Sequence, residues 1–112
     1  MRAALSAAGY ETPTPVQMGV IPQTLAGRDV LAQAQTGTGK TAAFAIPILE
    51  RLDPEGDSPQ ALVLVPTREL AEQVMGEFVK LGGRQSACVV LSGGKPIRQQ
   101  IERLRRSPPV VV

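Results

Sequence analysis

Histidine and tryptophan are absent from these 112 residues, cysteine occurs once, and there are only three aromatic side chains. Each shortage removes a class of function. With no histidine and a lone Cys88, no ligand set for zinc is expected. A single cysteine forms no internal disulfide. Sitting in the apolar run Ala87-Cys88-Val89-Val90-Leu91, it reads as a small buried hydrophobe and fits a reducing, intracellular setting. Tyr10, Phe44 and Phe78 are the only aromatics, and the last two lie on apolar helix faces, so base stacking is not the expected mode of nucleic-acid binding. No apolar run approaches the ~20 residues of a membrane span. The start, Met1-Arg2 followed by a short alanine-rich stretch and Gly9, lacks the pattern of a signal peptide, so a cytoplasmic location is expected. Positive charge is in slight excess, 12 Lys and Arg against 10 Asp and Glu, for a net +2. That balance describes a mixed, solvated surface and does not by itself point to nucleic acid. The basic cluster Arg98, Arg103, Arg105 and Arg106 reads as a solvated helix face in the same way.

What the chain does have is glycine at chosen places. The stretch Asp29 to Thr41 reads as a short buried strand, a glycine-bearing loop and a helix opening at Lys40-Thr41, which is the layout of a phosphate-binding P-loop. Ala34 stands where the pattern has its first glycine, and Gly39-Lys40-Thr41 completes it. Ala34, Gln35, Thr36, Gly37, Thr38, Gly39, Lys40 and Thr41 are therefore the candidate phosphate cradle. Gly37 and Gly39 carry no Cβ, so the backbone can curl and turn N–H groups inward to phosphate oxygens. The helix start adds unpaired N–H groups and the positive end of its dipole. Lys40 would bridge the β- and γ-phosphates and Thr41 would ligate Mg²⁺. The plainer alternative is a Gly/Thr-rich turn with no ligand.

The rest of the chain alternates. Arg2 to Ala8 reads as the tail of a helix stopped by Gly9. Thr14 is a good N-cap and Pro15 a good first residue for a helix reaching about Leu25, with Val16, Val20, Ile21 and Leu25 inward, Pro22 straining its middle and Gly27 stopping it. Gln17 stands open between an exposed first-turn residue and an amide matched to the donor–acceptor edge of adenine. A helix from Thr41 to Leu52, apolar almost all round, reads as buried, and Pro47 should kink it. Gln60 to Val65 is a continuous apolar run, as in a parallel strand buried on both faces. Thr67 caps an amphipathic helix with Leu70, Ala71, Val74, Met75, Phe78 and Leu81 on one stripe, stopped by Gly82-Gly83. Ala87 to Leu91 is a strand, Ser92-Gly93-Gly94 a loop, Pro96 to Arg105 a helix with Ile97, Ile101 and Leu104 inward, and Val110-Val111-Val112 a further strand. This rhythm predicts an α/β fold: a parallel sheet with flanking helices. In such sheets ligands sit at the carboxyl ends of the strands, where the P-loop, Pro66-Thr67-Arg68 and Ser92-Gly93-Gly94 all fall.

Taken together these segments closely resemble the DEAD-box RNA helicases. Residues 9–17 resemble the Q motif, 34–41 motif I, Pro66-Thr67-Arg68-Glu69-Leu70-Ala71 motif Ia, and Gly93-Gly94 the family's GG doublet; Gly27-Arg28-Asp29 matches the run-up to motif I. The resemblance implies a partial P-loop RecA-like lobe. It also implies ATP and Mg²⁺ as cofactors and an activity that uses ATP binding and hydrolysis to unwind short RNA duplexes and remodel RNA–protein complexes. Carried over, Gln17 and the backbone near Tyr10 read adenine, Lys40 and Thr41 are catalytic, and Thr41 holds the metal. Pro66, Thr67, Arg68, Gly93 and Gly94 meet single-stranded or duplex RNA through its sugar-phosphate backbone, which positions the strand without reading sequence. Apart from the family, Arg68 is a helix-start surface arginine and Gly93-Gly94 a tight turn.

The match has gaps. The family's upstream aromatic that stacks on adenine has no counterpart before Gly9, and the Asp-Glu-Ala-Asp segment, motif Ib and the second lobe with its arginine fingers do not occur within the 112 residues. The expectation is an incomplete first RecA-like lobe over residues 1–112, second lobe absent, that alone neither turns over ATP nor unwinds RNA. An arginine finger by itself is worth ~10³–10⁵ in rate. The alternative is a naturally short, non-hydrolysing module that binds nucleotide or RNA.

Overall fold

The computed structural model describes residues 2–35, 37, 39–82 and 88–112, with the backbone alone for residues 2–4. Local sequence signals place the helices. Helix α1 (Arg2–Ala7) closes with Gly9 N–H to the Ser6 carbonyl at 3.0 Å and Tyr10 N–H to the Leu5 carbonyl at 2.9 Å. Helix α2 (Pro15–Leu25) ends in the same two-bond pattern, Gly27 N–H to Thr24 and Arg28 N–H to Gln23. Both are glycine-terminated Schellman closures. Pro22 lies inside α2, as the sequence indicates. Helix α3 (Lys40–Arg51) buries Ala42, Ala43, Ala45, Ile46 and Pro47. Helix α4 (Arg68–Gly82) starts on Thr67, whose Oγ1 accepts the Leu70 N–H at 3.1 Å, and buries Ala71, Val74, Phe78 and Leu81. The stop at Gly83 and the strand residue Ala87 lie outside the described residues.

Three short strands, β1 (Ala61–Leu62), β2 (Cys88–Val89) and β3 (Val110–Val111), form a parallel sheet in the order β1-β3-β2. Ala61 registers with Val110, and Cys88 with the same Val110 on the other side. The ladder runs on past the strand bounds, through Val63 N–H to the Val111 carbonyl and Leu91 N–H to the Val112 carbonyl, both at 2.8 Å. Crossover helices α4 and α5 (Ile97–Arg105) join the parallel strands, as parallel pairing requires. Helix α2 packs on α3, α3 on α4, and α1 on α4. One core joins Ala45 and Ile46 of α3, Val74, Phe78 and Leu81 of α4, and Val90, Val110 and Val112 of the sheet. Phe44 and Phe78 meet with tilted rings, centroids 6.3 Å apart.

Five expectations are corrected. Residues 29–33 form no strand: Val30 is 41% and Leu31 101% exposed. A strand exists only through its hydrogen-bonded neighbour, and none of the described strands lies beside this one. The run from Gln60 to Val65 is not buried on both faces. It alternates, with Ala61, Val63 and Val65 half-buried and Leu62 and Leu64 at 69% and 85% exposure, because the helices cover only one side of this edge strand. Helix α5 turns no residue fully inward, leaving Ile97 and Ile101 exposed and Leu104 half-buried, and Leu25 at the end of α2 is exposed as well. Cys88 is half-buried rather than buried, and burial still lifts its thiol to about 11.

Phe78 is fully enclosed at the junction of α3, α4 and the sheet. Phe78→Ala is expected to cost about 3–5 kcal/mol in a urea titration, whereas Ile97→Gln on exposed α5 should stay within about 0.5 kcal/mol.

Candidate functional site

One amide ties the start of α2 to the start of α3. Thr14 and Gln17 form a capping box at the start of α2: Thr14 N–H donates to Gln17 Oε1 at 3.0 Å and Gln17 N–H to Thr14 Oγ1 at 3.4 Å. The other end of the same amide leaves the helix, with Gln17 Nε2 donating to the Gly39 carbonyl at 3.3 Å. Gln17 is 2% exposed, so the open choice for this residue resolves against a solvated first-turn position. A buried amide needs partners, and two of these bonds supply them, one at Oε1 and one at Nε2. Oε1 keeps a second lone pair and Nε2 a second proton.

Gly39 has φ +80° and is the N-cap of α3. A Cβ there would collide with Gln17 Nε2 and stand 3.3 Å from Thr14 Oγ1, so both the backbone conformation and the close approach of α2 demand glycine. Gly39, as N-cap, brings no side chain to cap α3. The start of α3 is the positive end of a 12-residue helix, with an exposed Lys40 and a half-buried Thr41 in its first turn. Uncapped N–H groups, a cation and a hydroxyl form the donor set a polyphosphate with its magnesium ion requires, so the residues fit that group. Gly37 also has positive φ, Ala34 is half-buried and Gln35 exposed. Thr36 and Thr38 lie outside the described residues. Among the described residues no cluster of acidic, cysteine or histidine side chains could hold a metal, and no helix is long and apolar enough to cross a membrane.

Tyr10 behaves differently from the rest of its segment. Its hydroxyl donates to Glu77 Oε1 and its ring lies 5.4 Å from Lys80 Nζ, so the side chain is fastened to α4. This is an anchoring role, and Glu77 and Lys80 are absent from the sequence-derived set because nothing local links positions so far apart. Of the Thr14–Gln17 box, the sequence reading had only the Thr14 N-cap; the return bond from the Gln17 amide came with the structure.

The second group converges at the carboxyl ends of β1 and β2. Pro66, Thr67, Arg68, Ser92 and Gly93 line one cleft of about 370 Å³. Gly94 has φ +79°, a conformation that favours glycine, and the Arg68 guanidinium lies directly against it, 2.6 Å from where a Cβ would stand. Thr67 accepts from Leu70 N–H, which leaves its own hydroxyl proton to donate. Arg68 makes no ion pair among the described residues, so its charge is available to an anion. The two groups do not share a sheet edge as expected, because residues 29–33 pair with no strand; the P-loop is located by α2 and α3 instead.

Burial, then the hydrogen bond and negative charge of Glu77, push the Tyr10 hydroxyl up to about 12 from its ordinary value of about 10. The neutral phenol is favoured in the folded state, so its stabilisation is complete below pH about 10 and is lost as the pH rises from there through 12. With one tyrosine and no tryptophan, an ultraviolet titration reads this group alone. The midpoint should lie near 12 and move partway toward 10 in Glu77→Gln.

Comparison with known proteins agrees with this geometry. The family model "DEAD/DEAH box helicase" matches residues 14–112. The DEAD-box ATP-dependent RNA helicase CshA of Bacillus licheniformis is 48% identical over 110 residues, covering 97% of this chain and 23% of the relative. The ATP-dependent RNA helicase DeaD of Escherichia coli is 53% identical over 112 residues, covering 97% and 18%. This chain thus spans about a fifth of the length of these curated relatives. Among solved structures, a DEAD box protein from the hyperthermophile Methanococcus jannaschii superposes with a TM-score of 0.92 at 42% identity, over 98% of this chain and 30% of that one. The RNA-helicase Prp28 from Chaetomium thermophilum, bound to ADP, gives 0.85 at 36%, over 99% and 28%. A P-loop helix tied to a buried glutamine, an arginine-and-glycine cleft at the carboxyl ends of β1 and β2, and these relatives lead to one assignment: the chain belongs to the DEAD-box helicases of the DEAD/DEAH box family.

Proposed function

We propose that these residues are the ATP-binding and RNA-contacting part of the first RecA-like lobe of a cytoplasmic RNA helicase, which couples ATP binding and hydrolysis to duplex unwinding and RNA–protein remodelling. The observation that carries the reading is the Gln17 amide, buried and bonded to Gly39 at the mouth of the uncapped α3. Its spare lone pair and proton match the edge of adenine, while the N–H groups at the start of α3 and Lys40 take the phosphates. Thr41 would hold the magnesium ion. Bound ATP supplies the phosphoanhydride whose cleavage drives such a cycle. A wrong base would leave the buried amide unpaired at about 1–3 kcal/mol, a preference of roughly ten- to a hundredfold for ATP over GTP.

RNA would lie in the cleft between Arg68 and Gly93-Gly94. Its phosphates would receive the Arg68 charge, the Thr67 hydroxyl proton and backbone N–H groups that glycine leaves uncovered. Turnover needs a water-positioning carboxylate and transition-state arginines, which in this reading come from outside these 112 residues, including the second lobe.

The test is titration of the natural protein with a fluorescent ATP and Mg²⁺. Lys40→Ala should weaken binding about tenfold or more. Gln17→Ala should erase the preference for ATP over GTP; an unchanged preference removes adenine reading from Gln17. Failure of the natural protein to bind either nucleotide defeats the P-loop reading. Full ATPase turnover by the 112 residues alone would place the catalytic groups within them.

A further inference from the structure

One side chain outside every motif governs the backbone of the Gly93-Gly94 loop. Gln100 lies in α5, one turn into the helix, and its amide turns back to the loop that precedes it. Its Oε1 accepts the Ser92 N–H at 2.9 Å, and its Nε2 donates to the Ser92 carbonyl at 3.0 Å and to the Lys95 carbonyl at 3.2 Å. The amide thus bonds both backbone groups of Ser92, as a neighbouring strand would, and closes the far end of the loop at Lys95. The Lys95 side chain meanwhile reaches Glu72 of α4 at 3.1 Å, an exposed pair of small worth that sets the same direction. Among the described residues no hydrogen bond uses the N–H of Gly93 or Gly94, and both glycines are exposed.

Two adjacent glycines are the most costly backbone to order, because they give up the most freedom. A loop that must present bare N–H groups to a phosphate gains affinity when something else has already ordered it. We propose that Gln100 is a positioning residue for RNA binding: its amide fixes Ser92 and Lys95, and so holds the Gly93 and Gly94 N–H groups facing the strand beside Arg68. This rests on the RNA reading of the cleft given above. Gln100 itself touches no RNA in this scheme.

The scheme has a signature that a merely structural role lacks. Backbone N–H groups are neutral and displace no counterions, whereas Arg68 does. The experiment measures binding of a short fluorescent oligouridylate to the natural protein across a salt series, with nucleotide binding measured alongside. Gln100→Leu, which removes all three bonds, should weaken RNA binding about tenfold with the slope of log affinity against log salt unchanged and ATP affinity intact. Arg68→Ala should lower that slope by about 0.7. Gln100→Glu keeps an acceptor for the Ser92 N–H but offers no donor to the two carbonyls, and should also lose RNA affinity. Unaltered RNA binding in Gln100→Leu overturns the proposal. So does loss of ATP and RNA binding together in both Gln100 variants, which assigns Gln100 to the fold rather than to the loop. If the natural protein binds ATP but no RNA, the RNA reading of the cleft fails, and this proposal with it.

Discussion

The Gln17 amide is the constraint on which the nucleotide end of the molecule depends. It belongs to two elements at once, completing the capping box of α2 through Oε1 and reaching the Gly39 carbonyl through Nε2. That double role fixes the distance between the start of α2 and the start of α3. It also dictates the residue at position 39, where the approach of the amide and a φ of +80° leave no room for a side chain. A cap residue ordinarily serves its own helix. Here the cap is also the tie that presents the uncapped N-terminus of α3, so stability and ligand geometry rest on the same atoms.

Helix α4 relates that end to the other site. Its N-terminus, with Thr67 and Arg68, forms one wall of the cleft, and one stripe along its length fills the core. Its C-terminal half grips Tyr10 through Glu77 and Lys80. At 1.5 Å per residue, the ~9–12 residues between these points separate them by roughly 14–18 Å of rigid rod. The Tyr10 segment and the Arg68 cleft are thus borne by one continuous helix.

What was legible in the sequence was local. Thr14 and Pro15 announce α2, Gly9 and Gly27 stop their helices, and Thr67 followed by an apolar stripe defines α4, because caps and periodicity act within a few residues. The P-loop pattern could be read for the same reason, as Gly39-Lys40-Thr41 opening a helix, whereas Arg68 and Gly93-Gly94 stood out only through the family resemblance. What was not legible depends on distant partners. Residues 29–33 have the composition of a buried strand, but a strand is made by its neighbour. Leu62 and Leu64 look like core until one knows that only one face of β1 is covered, and Ile97 and Ile101 look inward only if something lies beneath α5. Gln17 and Gln100 are harder still: a glutamine on a helix carries no sign of whether its amide meets water or backbone, and both amides here find backbone belonging to another segment.

Three loops among the described residues are held by glutamine amides: the P-loop through Gln17, the Ser92–Lys95 loop through Gln100, and the Asp53–Gln60 connection, where the Gln60 amide bonds both the N–H and the carbonyl of Asp53. An amide neither gains nor loses a proton between pH 5 and 8, and these 112 residues contain no histidine. The framework that shapes the two sites therefore has no acid–base switch of its own in that range. A pH response of these residues near neutrality would not originate in the amides that hold the three loops.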